Sequence, residues 1–200
     1  APGQVPVDTA ALGADVWVGN FHKWLGAPPG AAGLVVSDAW RDRIEPLVAS
    51  VNVDDGFPAS FGWMGTLDYT PYLCVPAAVD FLAGIGGDTV GDYGRGLACR
   101  ARELFGTDPV VPPAAASTMT VVPLPEGWAT TLDRARDLIR AAEDDLAAEL
   151  CFLPWGGRGY LRLSAWAYNS LDEYERIADQ LPAFLDGRAA IRQDGDITCP

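Results

Sequence analysis

Lysine and histidine are the scarce residues of this chain. Of its 14 Lys and Arg residues one is lysine, and the only histidine lies beside it, giving Asn20-Phe21-His22-Lys23-Trp24-Leu25. Positive charge is short overall: 27 acidic residues leave a formal net charge of −13. Binding to nucleic acid or to an anionic membrane surface needs a basic face, so neither is expected as a partner. Long apolar runs are also lacking. Residues 109–125 are uncharged, but five prolines interrupt them, a composition that makes no membrane helix. The four cysteines, Cys74, Cys99, Cys151 and Cys199, are far apart, with no CxxC pair and no nearby histidine. A metal site or a disulfide framework is therefore not expected, and a reducing, cytoplasmic setting fits best. Asp54-Asp55-Gly56 lacks the spacing of a calcium loop, and Asp144-Asp145 reads as a solvated helix face.

The pattern that is present reads as an α/β chain without internal repeats. Short strands are predicted at Asp15–Val18 and Gly33–Ser37, with the histidine–lysine loop between them and Gly26, Pro28, Pro29 and Gly30 punctuating it. Thr70-Pro71 opens a helix whose apolar face is Leu73, Cys74, Ala77, Ala78, Phe81 and Leu82, closed by the glycines at 84–87. A second helix, from about Thr89 to Phe105, is weakened by Gly91, Gly94 and Gly96. The proline-rich stretch 109–116 reads as a linker and Thr118–Val122 as a strand. Thr130 with Asp133 caps an amphipathic helix carrying Leu132, Ala135, Leu138, Ile139, Ala142, Leu146 and Leu150. Leu150–Leu153 and Tyr160–Ser164 read as strands. Ser170 with Glu173 caps a last helix, which Pro182 is expected to kink or divide. Dense glycine at 84–95 suggests a boundary there, dividing the chain into residues 1–90 and 91–200.

The lone lysine carries the chemistry. Arginine replaces lysine for solvation and surface pairing, but its guanidinium stays protonated. Only an amine loses its proton when desolvated and then attacks a carbonyl. Trp17, Phe21 and Trp24 are bulky neighbours expected to dry the site, and the glycines let a ligand approach closely.

These residues resemble a known family. Asn20-Phe21-His22-Lys23-Trp24-Leu25, followed by Pro28, Gly30 and Leu34-Val35-Val36, resembles the cofactor-lysine segment of class V aminotransferase-fold enzymes. Trp63-Met64-Gly65-Thr66-Leu67-Asp68 is similar to their W-x-G-T-R-D segment, and Val75-Pro76-Ala77-Ala78 to the helix after it. Leu161-Arg162-Leu163-Ser164 with Tyr168-Asn169 resembles their R-x-S…Y-N segment. The combination is similar to the isopenicillin N epimerase-like branch and spans about residues 1–185.

The resemblance implies a type I fold of pyridoxal 5′-phosphate (PLP)-dependent transferases: the end of the large domain in 1–90 and the α+β C-terminal small domain in 91–200. It implies Lys23 as the Schiff-base lysine, Asn20 and His22 at the cofactor phosphate, and Gly65 and Thr66 at the phosphate of a neighbouring subunit in a homodimer. Arg162 would clamp the α-carboxylate of an amino-acid substrate, as suits a planar bidentate donor. Leu67 departs from the family's arginine, which leaves substrate choice open. Members run to about twice this length, so the chain is expected to be a C-terminal half, inactive alone, with the aspartate that pairs the pyridine nitrogen lying upstream of Ala1. Chemistry at the α-carbon, epimerase-like, is the leading expectation. The alternatives are a C–S lyase or cysteine desulfurase, and a non-catalytic half-enzyme that serves as an interaction partner. A desulfurase needs an activated cysteine, and the one candidate near Arg162, Cys151, lies in an apolar run that reads as a buried strand. Tyr168-Asn169 reads as a turn and packing feature.

Overall fold

The computed structural model describes residues 2–110 and 116–194, with side chains through residue 188. Most of the expected linker at 109–116, and Cys199, lie outside the described residues. The chain divides into two compact units, Ala1–Thr89 and Val90–Pro200. Among the described residues no single helix is long and apolar enough to cross a membrane.

The first unit opens with a short helix α1 (Thr9–Leu12) that the periodicity does not announce. Its signal is local: the Asp8 carboxylate accepts from the Ala10 and Ala11 N–H groups, and Gly13 ends the turn in the left-handed conformation. Strands β1 (Val16–Asn20) and β2 (Ala32–Val36) form an antiparallel hairpin, with Val16 opposite Val36 and Asn20 opposite Ala32. Both strands lie where the sequence places them, with ends shifted by one or two residues. Among the described residues, Leu25, Ala27, Ala31 and Val36 are the buried apolar side chains of this unit.

Helices α2 (Thr70–Leu73) and α3 (Val75–Gly84) replace the single helix expected there. Pro76 explains the break at Cys74. It has no N–H to donate, and its ring crowds the carbonyl one turn back, so it restarts a helix more readily than it continues one. The expected apolar face is not buried: Leu73 is 79 % exposed and Phe81 66 %.

The second unit is built on a three-stranded antiparallel sheet of β3 (Met119–Pro123), β4 (Cys151–Trp155) and β5 (Arg158–Ser164), in the order β3-β5-β4. Alternation along β5 decides its two faces. Gly159, Leu161 and Leu163 are buried, whereas Arg158, Arg162 and Ser164 are exposed. Leu161 and Leu163 join Val122 and Phe152 in the core with residues of three helices, α4 (Gly87–Leu104), α5 (Leu132–Leu146) and α6 (Leu171–Asp194). The helices therefore cover one face of the sheet and leave the Arg162 face open.

Local details correct the sequence reading. The α5 cap is Thr131, whose Oγ1 accepts from the Arg134 N–H at 3.3 Å; Asp133 instead pairs with Arg136. Leu132, in the first helical position, stays 62 % exposed, and the buried stripe begins at Ala135. Gly94 is buried, and a methyl there would come within 2.8 Å of the Ala165 carbonyl and 2.9 Å of Thr118 Cγ2. That glycine lets α4 approach the sheet, which is a contact rather than a weakness. Helix α6 runs unbroken across Pro182, held by buried Leu181, Phe184 and Leu185. Glu173 caps it by accepting from the Ser170 N–H at 2.9 Å, as the capping-box pattern implies. Asp145 pairs with Arg188 of α6, so it is not simply solvated.

Candidate functional site

The Lys23 loop is shaped by backbone hydrogen bonds. Phe21 N–H donates to the Ala31 carbonyl at 3.1 Å, Ala27 N–H to the Phe21 carbonyl at 3.0 Å, and Gly26 N–H to the Lys23 carbonyl at 3.2 Å. Gly26 sits at φ 79°, a conformation that glycine adopts without strain. Buried Leu25 and Ala27 anchor the loop on its inner side. The N-terminal turn packs behind it: a Cβ on Gly3 would lie 2.6 Å from the Leu25 backbone nitrogen. The loop is thus a platform held between two paired strands.

On this platform the Lys23 side chain is exposed. The aromatic neighbours do not dry it. Trp17 and Phe21 lie over Gly19 and Gly33 of the hairpin, where any side chain would collide with their rings. His22 is half-buried, and its Nδ1 is buried with no hydrogen-bond partner. An unsatisfied ring nitrogen is costly to bury, and a water or a ligand atom would relieve it. Asn20, exposed at the end of β1, completes a cluster of three polar side chains in four positions. The residues present fit a phosphorylated aldehyde cofactor: a free amine, with an orphaned imidazole nitrogen one residue away.

Gly65 and Thr66 lie on a second loop of the same unit. Gly65 is at φ 100°, and its carbonyl accepts from the Tyr69 hydroxyl at 3.1 Å. The Tyr69 ring stacks on Trp63 at 5.8 Å. Asp68, just ahead of α2, accepts from the Thr70 N–H at 2.9 Å, and bonds from the Thr70 hydroxyl and N–H hold its carboxyl below the ordinary value. Thr66 is left exposed. The two loops are tied by Gly30, where a Cβ would come within 3.3 Å of the Pro71 ring.

Arg162 lies in the other unit, in the middle of β5. The apolar run around it suggests a costly buried charge; alternation instead places it on the exposed face. Its cross-strand neighbours are Val121 on β3 and Cys151 on β4. Directly paired residues share a sheet face, with Cβ atoms about 4.5–5.5 Å apart. Cys151 is therefore half-buried beside Arg162, not sealed in the core as its sequence context implies. Two cavities meet at Arg162. One, of about 360 Å³, also takes in Cys99, Arg102 and Met119. The other, of about 780 Å³, takes in Glu149, Tyr168, Asn169 and Glu173.

Asn169 is a turn residue: its side-chain carbonyl accepts from the Trp166 N–H, and its own N–H donates to the Trp166 carbonyl, both at 3.0 Å. Tyr93 donates its hydroxyl to the Asn169 carbonyl at 2.7 Å. Tyr174 donates to the Ser164 carbonyl at 2.6 Å, and burial, with Glu173 adding to it, pushes its pKa up to about 12. Arg102 is a residue that the sequence does not single out. Nothing in the polar run of α4 distinguishes it from Arg95 and Arg100; its buried Nε becomes visible only in the fold.

The chain has the fold of cysteine desulfurase from Thermococcus onnurineus NA1, with a TM-score of 0.71 and 19 % identity over 94 % of this chain and 51 % of that one. It also matches alanine–glyoxylate aminotransferase from Nostoc sp., with a TM-score of 0.66 and 18 % identity over 92 % and 51 %. This is the type I fold of PLP-dependent transferases. No family model matches. In sequence the chain is 33 % identical to isopenicillin N epimerase from Amycolatopsis lactamdurans, over 90 % of this chain and 50 % of the relative. It is 31 % identical to putative L-cysteine desulfhydrase 1 from Oryza sativa subsp. japonica, over 88 % and 42 %. The chain is thus similar to class V aminotransferase-fold enzymes, whose members use PLP, and it spans about half the length of the curated relatives it matches.

Proposed function

We propose that this chain carries the cofactor lysine and the substrate-carboxylate arginine of a PLP-dependent enzyme acting at the α-carbon of an amino acid, with epimerase-like chemistry. The observation that carries the reading is the exposed Lys23 amine beside the buried, unpartnered Nδ1 of His22. When bound, PLP supplies an electron sink for the bond broken at the α-carbon. Lys23 Nζ is the covalent attachment point and the group that moves a proton at that carbon. His22 and Asn20 bind the phosphate. Gly65 and Thr66 offer an amide and a hydroxyl to the phosphate held by the neighbouring subunit of a homodimer. Arg162, exposed on an open sheet face, binds the α-carboxylate with a bidentate fork.

A second reading, C–S cleavage, is favoured by one observation: Cys151 shares the face of Arg162 and lies directly across from it. A thiol so placed can receive sulfur only as thiolate. The relatives named as desulfhydrases are as similar to this chain as those named as epimerases.

The test uses the protein expressed from its complete reading frame and loaded with PLP. Borohydride trapping followed by peptide mapping is expected to label Lys23 and no other residue. Lys23→Ala is expected to abolish the label and any turnover, while Lys23→Arg restores neither. Absence of label at position 23 refutes the reading. Inversion at the α-carbon with deuterium taken up from solvent then marks epimerase-like chemistry; with L-cysteine, release of sulfide and pyruvate marks β-elimination, and release of alanine with a persulfide left on Cys151 marks sulfur transfer to that thiol.

A further inference from the structure

Arg102 stands in the last turn of α4, and its Nε is buried without a hydrogen-bond partner. Its neighbours on the helix are treated differently: Arg95 pairs with Asp92, and Arg100 with Glu103. Among the described residues Arg102 has no carboxylate partner, although the chain holds 27 acidic residues. A half-buried guanidinium without a carboxylate partner is unfavourable, and the usual remedy is an anion, which would meet its outer N–H groups because Nε itself is enclosed.

The cavity of about 360 Å³ beside it provides room for one. Arg102 reaches that cavity from α4 and Arg162 from β5, and no acidic residue is among its described lining. Met119 and Val121, on the strand beside Arg162, supply apolar wall. Its volume lies in the range of small-molecule pockets. Two cations from separate elements, with apolar wall beside them, match a ligand with an acid at each end and methylenes between. A lone phosphate would leave the apolar wall unused.

We propose that this cavity is a dicarboxylate site, with Arg162 binding one carboxylate and Arg102 the other. The substrate class that follows is an amino acid bearing a second, side-chain carboxylate. That the diacid is a substrate rests on the function proposed above; that the cavity binds one does not.

The experiment titrates the complete protein, free of PLP, with glutarate and adipate against the monoacids valerate and hexanoate, followed by calorimetry. The diacids are expected to bind about tenfold more tightly, the gain from one added charge-assisted contact. Arg102→Gln is expected to bring diacids down to the monoacid level, and Arg102→Lys to recover part of the preference. Arg100→Gln, exposed on the same helix, is expected to change nothing. Equal binding of diacids and monoacids, binding of inorganic phosphate as tight as that of the diacids, or a preference that survives Arg102→Gln overturns the proposal. If Arg102→Gln fails to fold, as circular dichroism will show, the wild-type comparison of diacid with monoacid still decides. PLP labelling at Lys23 is read separately, so loss of one result leaves the other standing.

Discussion

Tyr174 shows how one side chain couples burial to pH. It is 6 % exposed and donates its hydroxyl to the Ser164 carbonyl, where β5 ends. Burial and the nearby Glu173 raise its pKa from 10.0 to about 12. The folded state therefore holds the proton more tightly than the unfolded chain. Its contribution to stability is complete below pH 10 and falls away as pH rises from there through about 12. A pH series of urea melts is expected to be flat in this respect at neutral pH and to drop above pH 10. Tyr174→Phe, which cannot ionise, should be less stable at about pH 8 through loss of the hydrogen bond, yet show a shallower alkaline drop. An identical alkaline slope in both proteins would contradict this. Asp68 acts in the opposite direction at the other end of the scale. Its lowered carboxyl steadies the start of α2 above the ordinary carboxylate range and ceases to do so as pH falls below it.

Helix α4 shows how glycines that look alike in a sequence differ in a fold. Gly94 and Gly96 lie close together on the helix. Gly94 is buried against the Ala165 carbonyl and Thr118, while Gly96 has nothing within 4 Å of where a Cβ would stand. Gly94→Ala must push the helix off a backbone atom and is expected to destabilise by about 1–3 kcal/mol. Gly96→Ala removes unfolded-state freedom at no steric cost and is expected to stabilise by about 0.5–1 kcal/mol. Thermal melts of the two variants should move in opposite directions; shifts of the same sign refute the distinction. Periodicity alone counts both as weakening, and it can do no better, because close approach is a property of the partner. The same limit recurs elsewhere. The strands, α5 and the α6 cap are legible because their signals are local: alternation, a helical stripe and a Ser170…Glu173 box. The break at Cys74, the continuity across Pro182 and the exposure of Arg162 are not, because each depends on which face finds a core. Within the candidate site, Lys23 and His22 stand out by rarity and Arg162 by its motif. Arg102 has neither signal, and only the cavity beside it reveals it.

At the scale of the whole molecule, the two units differ in how much apolar surface they bury. The continuous core, from Leu97 through Leu185, lies entirely in the second unit. The first buries Leu25, Ala27, Ala31 and Val36 among its apolar side chains, and leaves Leu47, Val51, Leu73 and Phe81 each at least 66 % exposed. Burial of apolar area is the main favourable term in folding, so resistance to opening should follow the same division. Hydrogen exchange on the chain is expected to find the slowest amides in β3, β5 and α5. Those of the β1–β2 hairpin should exchange roughly a hundredfold faster, through local openings that leave the larger core intact. The Lys23 loop hangs on that hairpin, through the bonds of Phe21 to Ala31 and Ala27 to Phe21. A phosphorylated ligand seated at His22 would bind only the closed hairpin, and mass action then requires that it slow exchange there. With PLP added, protection of the β1–β2 amides should rise while that of β3 and β5 stays constant. Hairpin amides as slow as the sheet without PLP, or unchanged with it, would show that the loop is not the element whose stability the ligand controls.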